Sequence, residues 1–177
     1  MAAPVVTPAS AALSGTQTQQ FTADQAVTWS ASAGTITSGG LYTPPNVTGS
    51  YTVTARNASA QTTTVAVVVT GVFPAAPSWT YSAEQDKKVL VFRPESGPRQ
   101  TRAKRAKSRR FDLTANHRSR AEYLKVESFW DAHYPNKNFY FTHPDLKTTL
   151  LVFFDAKLKE EWVGENLVNW STVIEQV

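Results

Sequence analysis

The chain has 177 residues, of which 41% are hydrophobic and 18% are charged, so it is long enough for one large domain or two small ones. It contains no cysteine, which excludes disulfide frameworks, thiol catalysis and cysteine-based metal sites. No apolar run approaches the roughly 18 to 20 residues of a membrane-spanning helix. The N-terminus lacks the basic and apolar regions of a signal peptide. We therefore expect a soluble protein without a membrane span.

Positive charge is concentrated in one segment. Residues 1–72 carry only Asp24 and Arg56, whereas residues 93–110 hold eight basic side chains against one acidic side chain. That segment has a net charge of +7, although the whole chain carries only +4. The high isoelectric point therefore belongs to this segment and not to the protein as a whole.

Short strands are predicted for the first 70 residues, which are rich in Thr, Ser, Ala and Val and show no helical period. Glycines and a Pro-Pro pair mark the turns. The predicted strands are residues 20–23, 26–30, 41–43, 51–55 and 62–69. Several short strands at this spacing are typical of a β-sandwich.

Residues 27–57 (VTWSASAGTITSGGLYTPPNVTGSYTVTARN) resemble the bacterial Ig-like modules that are appended to surface and phage structural proteins. The shared elements are the V-x-W strand, the G-T-I hairpin, the G-L-Y-T-x-P turn and the G-x-Y-x-V-x-A strand. The resemblance implies an Ig-like β-sandwich over residues 1–71. It has no cysteine pair, and Trp29 is its core tryptophan.

A linker is predicted at residues 72–78, where two prolines coincide with a change from uncharged to aromatic and charged sequence. A near-continuous apolar strand (KKVLVF) follows at residues 87–92. Residues 93–108 are predicted to form a long, polar, basic loop. Alternation of apolar and polar residues then predicts a strand that begins at Phe111.

An amphipathic helix is predicted at about residues 119–134. Ser119 and Glu122 have the spacing of a capping box, and Pro135 follows the last turn. Further strands are predicted on the C-terminal side of the helix. We expect its inner face to plug a β-sheet through Leu124, Val126, Phe129 and Trp130.

The order of these elements over residues 78–177 resembles the minor tail proteins of lambda-like long-tailed phages, which belong to the wider tail-tube and distal-tail family. The helix phrase RAEYLKVESFWDAHY, followed by the aromatic strand KNFYFTHP, carries most of the resemblance. The Gly-Asp-Gly-Tyr turn common after the first strand is replaced here by RPESG. The resemblance implies a tail-tube-like β-barrel or sandwich with one flanking α-helix at residues 79–177, in a mainly β chain.

In function, the resemblance implies a structural virion protein. It would form a ring of six copies at the tail tip, joining the tail tube protein to the distal tail or hub protein, near the tape-measure protein. Such a protein is assembled in the host cytoplasm and resides in the virion tail. The Ig-like module would be displayed outward, where it could make weak contact with host-surface glycans.

The basic segment has three interpretations. It could be an assembly arm that orders against an acidic neighbouring subunit. It could be a solvated, mobile loop. It could also bind DNA through the phosphates, and such binding would involve the backbone alone because the segment lacks aromatic residues for base stacking. The residues concerned are Arg99, Arg102, Lys104, Arg105, Lys107, Arg109 and Arg110.

Aromatic residues at the end of the helix and in the next strand exceed what one small core needs. Strand alternation sends some of them outward, and exposed aromatic side chains usually mark an interface. The alternative is that the helix covers one sheet face and a long loop covers the other. The candidate interface residues are Tyr134, Phe139, Tyr140 and Phe141.

No catalytic or cofactor-binding motif is present. His117, His133 and His143 lack metal-ligand spacing, and we expect His133 to interact with the helix dipole as a C-terminal residue. The carboxylates at residues 160, 161 and 165 are typical of a charged surface turn. The sequence predicts a protein that is not an enzyme and needs no cofactor. Two other functions stay open: a secreted adhesin or carbohydrate-binding module, and a DNA-binding protein.

Overall fold

A computed structural model describes residues 2–74, 80–86, 89–92, 100–103, 108–144 and 147–177, with the backbone alone for 80–86, 89–92, 100–103 and 108. Within these residues the protein is mainly β with one helix, as predicted. The elements are β1 Val6–Thr7, β2 Ser10–Ser14, β3 Gln19–Gln20, β4 Thr22–Ala23, β5 Val27–Ala31, β6 Thr35–Ile36, β7 Leu41–Thr43, β8 Gly49–Asn57, β9 Thr62–Val72, β10 Thr80–Asp86, β11 Val89–Phe92, β12 Gln100–Ala103, β13 Ser108–Ser119, α1 Arg120–His133, β14 Phe139–Thr142, β15 Thr149–Phe154, β16 Lys159–Trp162 and β17 Leu167–Gln176.

The N-terminal half, β1 to β9, is a sandwich around its own core. One sheet contains β5, β8 and β9 in antiparallel order with β2 parallel to β9, and a smaller sheet contains β3, β7 and β6. Alternation along β9 buries Val65, Val67 and Val69 and exposes Val68. This is the period-2 pattern of a strand with one face on the core.

Trp29 does not fill the centre of this core, contrary to the sequence-based prediction. Its ring is only partly buried and packs beside Phe21, with ring centroids 6.4 Å apart. Phe21 and Tyr42 are fully buried and occupy the centre. The reason is that β5 pairs only with β8 in the described part of the chain, which places Trp29 near the rim of the sandwich.

The C-terminal half, β10 to β17 with α1, is built on an antiparallel sheet in the order β10, β13, β17, β15, β14. A short strand, β16, also pairs with β17. Alternate residues of the long strands point into one core, and the residues between them are less buried on the opposite face of the sheet. The fully buried side chains from these strands include Phe111, Leu113, Phe139, Val152 and Ile174. Residues of α1 pack against the same core.

The two halves share one sheet. Parallel pairing joins Phe139 of β14 to Gly71 of β9, and Tyr140 to Val72. A ten-stranded sheet therefore runs through the protein along an open path from β10 to β5. The ring of Phe73 is buried in the C-terminal core, 5.6 Å from the ring of Phe129 between centroids.

This pairing corrects the predicted linker at residues 72–78. Val72 belongs to β9 and Phe73 belongs to the C-terminal core, so neither residue is part of a free connection. Residues 75–78 of the predicted linker lie outside the described residues. The composition changes at Phe73, but its side chain packs in the C-terminal core, so the change does not mark a free linker.

The helix begins as predicted. Ser119 Oγ accepts a hydrogen bond from the Glu122 amide, and the Glu122 carboxylate accepts one from the Ser119 amide, each at 3.3 Å. The hydrogen bond from the Ser119 side chain is the largest cause of a lowered pKa for Glu122, and the bond from the Ser119 backbone is the next. The predicted capping box is confirmed.

Candidate functional site

The inner face of α1 contains two of the four predicted core residues. Val126 and Phe129 are buried, whereas Leu124 is 46% exposed, so its prediction as a core residue is wrong. Leu124 follows the buried Tyr123, and one residue turns the side chain about 100° around the helix axis. Trp130 is half-buried, and its indole Nε1 donates to the Ala156 carbonyl at 3.3 Å.

Two of the four candidate interface aromatics are core residues. Phe139 is fully buried and Phe141 is 3% exposed, so the prediction that they form an interface is wrong. Alternation along β14 turns both toward α1 and leaves the half-buried Tyr140 on the other face. Tyr134 is also half-buried, and its ring stacks on Trp130 with 4.5 Å between centroids.

The prediction that the basic segment forms one continuous loop is wrong. Arg102 lies in β12, opposite Leu90, and Arg109 and Arg110 lie in β13, opposite Gln85 and Glu84. The guanidinium of Arg110 is 3.5 Å from the Asp155 carboxylate, and the side chains of Arg109 and Arg110 are exposed. The other four predicted residues, Arg99, Lys104, Arg105 and Lys107, lie outside the described residues.

Strands β11 and β12 form a hairpin that lies in sequence between the paired strands β10 and β13. Strands β10 and β13 pair as far as Asp86 opposite Ser108, and β11 and β12 then pair from Val89 opposite Ala103. In contrast, β17 pairs with β13 only from Arg110 onward. In the described part of the chain, β11 and β12 pair with each other alone. The β11–β12 hairpin is therefore a separate two-stranded sheet within the described residues.

A network of hydrogen bonds connects the two halves around Thr48 and His133. The backbone N–H of Thr48 donates to Nε2 of His133 at 3.1 Å, and the Thr48 hydroxyl donates to the Asn138 carbonyl at 2.6 Å. The same hydroxyl accepts from the Gly71 amide at 2.7 Å. Nδ1 of His133 lies 2.8 Å from the Phe129 carbonyl. We call these residues, together with Asn46, the joint.

The side chain of Asn46 completes the joint by pairing with the backbone of Val72 as a neighbouring strand would. Its side-chain amide donates to the carbonyl of Val72 and accepts from the amide of Val72, both at 2.7 Å. Gly71 has room for no side chain, because a Cβ there would lie 2.4 Å from Nε2 of His133. The joint therefore depends on a glycine, an asparagine and a histidine that are far apart in sequence.

The prediction for His133 was wrong in its chemistry. The residue does lie in the last turn of α1, but it is 1% exposed, and desolvation is the largest cause of its lowered pKa. A neutral ring cannot complement the helix dipole as a cation. The sequence held one signal of the buried role, since His133 follows Phe129 by four residues and so shares its helix face.

Apolar side chains are exposed at the corner where α1 meets the turn between β16 and β17. Trp162, Val163 and Leu167 are each more than 40% exposed. The ring of Trp162 packs edge-on against buried Tyr123, 6.0 Å between centroids, and the guanidinium of Arg120 lies 5.7 Å from the Trp162 ring centroid. Burial is the largest cause of a raised pKa for the Tyr123 hydroxyl, and hydrogen bonding to Glu160 adds to it.

Other chemistry-bearing groups are dispersed. Among the described residues, no three His, Cys, Asp or Glu side chains are grouped so that they could hold a metal ion. His117 is exposed, and His143 is buried against the ring of Phe111 in the C-terminal core. Glu160, Glu161 and Glu165 are exposed as predicted, but Glu160 and Glu161 lie in strand β16 and not in a turn. In the part of the chain that the structure describes, no helix has the length and apolar character needed to cross a membrane.

Comparison with known proteins adds no family assignment. The chain matches no protein-family model, and it has no significant match among curated proteins.

Proposed function

We propose that the chain is a structural subunit of the tail of a long-tailed bacteriophage. It would form a ring, of six copies by the resemblance of residues 78–177, that joins the tail tube to the distal tail or hub protein. The observation that carries the proposal is the β11–β12 hairpin, which pairs only with itself in the described residues. A free two-stranded hairpin is marginally stable in water, so a neighbouring subunit is a natural partner for it.

Charge supports the same assignment. Strand β12 of the hairpin lies within the segment that carries the basic excess of the chain, with Arg102 in β12 and Arg109 and Arg110 in the next strand, β13. The remainder of the chain has a net negative charge. Attraction between the hairpin of one subunit and the remainder of the next would favour assembly over random contact.

The shared sheet indicates which end of the subunit meets its neighbours. Strand β9 occupies the edge of β14, so β10 is the other end of the sheet path among the described strands. Unpaired edges are places where a second chain can add a strand. We infer that the β10 end, with its hairpin, faces the ring, and that the N-terminal sandwich at the β5 end faces outward.

Light scattering after size-exclusion chromatography tests the proposal, together with negative-stain imaging. The informative variant replaces residues 87–107 by Asn-Gly, because Asp86 and Ser108 are directly opposite and a two-residue turn can close them. We expect rings for the wild type and a folded monomer for the variant. A matched control, Arg102→Gln alone, keeps the hairpin and should weaken assembly mainly at low salt.

A wild-type chain that stays monomeric at high concentration contradicts the ring. Rings that form equally well without residues 87–107 contradict the role of the hairpin. Binding of the chain to duplex DNA, with an affinity that falls steeply as salt rises, would favour the DNA-backbone function instead.

A further inference from the structure

The joint fixes the protonation state of its histidine. A backbone amide can only donate, so the hydrogen bond from Thr48 requires that Nε2 of His133 carry no proton. The proton must then be on Nδ1, which donates to the Phe129 carbonyl. The geometry is therefore satisfied by one neutral tautomer of the imidazole and by no other form.

Burial of the ring disfavours a positive charge on it more than the hydrogen bond to the Phe129 carbonyl favours one. The imidazole is 1% exposed and stacks on Phe129 with 3.9 Å between centroids. Thr48 and Gly71 meet the ring from the N-terminal half, their neighbours in residues 44–48 and 70–73 contain no ionisable side chain, and Phe139 meets it from β14. Of the charged groups that the structure describes, Lys137 acts on the ring, and it disfavours the protonated form.

We propose that the joint is an acid-sensitive latch between the two halves, released when Nε2 of His133 takes up a proton. The added proton removes the acceptor for the Thr48 amide and sets two donors against each other. Opening of residues 46–48 from His133 and Gly71 lets water reach the imidazolium. The latch rests on the geometry of the joint and does not depend on the proposed function.

The direction of the pH effect follows from the lowered pKa of His133 in the closed state. The open state has a pKa near the ordinary histidine value of about 6.5, so it binds protons that the closed state does not. The closed state is therefore fully favoured above that value. The stability of the closed state relative to the open state decreases as pH falls from there toward the lowered pKa of the buried ring.

Distance measurement between spin labels in the full-length chain tests the latch. Because the chain has no cysteine, two can be introduced without interference, at the exposed positions Ala58 and Lys125 in the two halves. Between about pH 7.5 and pH 5, a range that spans the ordinary histidine pKa, we expect a narrow distance distribution to broaden toward longer distances. His133→Gln should abolish this pH dependence.

A matched control is His143→Gln, which removes the other buried histidine without touching the joint and should leave the transition intact. In wild-type protein, NMR should show the Thr48 and Gly71 amide signals moving with the midpoint of the His133 imidazole. If His133 titrates while those amides and the label distance stay unchanged, the latch is wrong. It is also wrong if His133→Gln keeps the transition, or if the halves separate only when the whole chain unfolds.

Discussion

At the scale of single residues, the connection between the halves depends on small and polar residues, which a search for apolar core positions does not find. Thr48 uses its amide, its hydroxyl hydrogen and its hydroxyl oxygen in three separate hydrogen bonds. Asn46 supplies both a donor and an acceptor to one residue of β9. Each of these hydrogen bonds satisfies a backbone amide or carbonyl that would be costly to bury unpaired. The joint is thus specified by satisfied hydrogen bonds as much as by apolar packing.

Gly71→Ala tests how closely the halves must approach. The added Cβ would lie 2.4 Å from His133 Nε2 and 3.3 Å from the Phe129 ring, so the ring or the strand must move. Overpacking of this kind typically costs about 1–3 kcal/mol, and we expect a loss in that range in the free energy of unfolding measured by urea titration. Gly164→Ala is the control, because nothing lies within 4 Å of its Cβ. Equal stability of the two variants would contradict the tight approach.

Ser119→Ala tests the cap of α1 and its pH dependence. Loss of an N-cap typically lowers stability by about 1 kcal/mol at neutral pH. The lowered pKa of Glu122 means that its contribution is present above the ordinary value of 4.5 and is lost as pH falls through the lowered one. We therefore expect urea unfolding to show a smaller stability difference between variant and wild type below the lowered pKa of Glu122 than at neutral pH. Ser128→Ala, at an exposed mid-helix position, should show no such narrowing.

At the scale of elements, local chemistry was the part that could be predicted. The capping box placed the start of α1 to within a residue, because capping is decided by neighbours in sequence. The burial of Leu124 was mispredicted, since several apolar residues on one helix allow more than one inner face. Strand alternation was recognised at Phe139 and Phe141, but alternation alone does not say which face of the sheet is covered.

Paired alanine substitutions on α1 separate the two candidate faces. Phe129→Ala removes a ring that packs against Phe73, Phe139 and Phe154, and such a change typically costs about 3–5 kcal/mol. Leu124→Ala changes a half-exposed side chain and should stay within about 0.5 kcal/mol of wild type. Thermal and urea unfolding followed by circular dichroism measure both. A larger loss for Leu124 than for Phe129 would reverse the assignment of the inner face.

At the scale of the molecule, the mainly β class and the division into two cores could be predicted, whereas their union could not. A change in composition near residue 73 indicated a linker, because composition reports local character. The parallel pairing of β9 with β14 joins residues nearly seventy positions apart, Gly71 and Phe139, and no local pattern encodes it. The joint was missed for the same reason. Its members are ordinary in their own segments and acquire a role only after folding.

At neutral pH, where the latch is closed, the shared sheet and the joint predict that the two halves unfold as one cooperative unit. Val67→Ala should destabilise the N-terminal core, where this side chain is fully buried, and should also speed hydrogen exchange of the β17 amides in the other core. Val68→Ala, the next residue on β9, is 53% exposed and should change neither. Hydrogen exchange under native conditions measures both halves in one sample. If Val67→Ala speeds exchange in β8 and leaves β17 unchanged, the halves are independent domains in contact. Coupled exchange would instead mean that β9 transmits stability between them, because breaking β9 in one core removes the edge partner of β14 in the other.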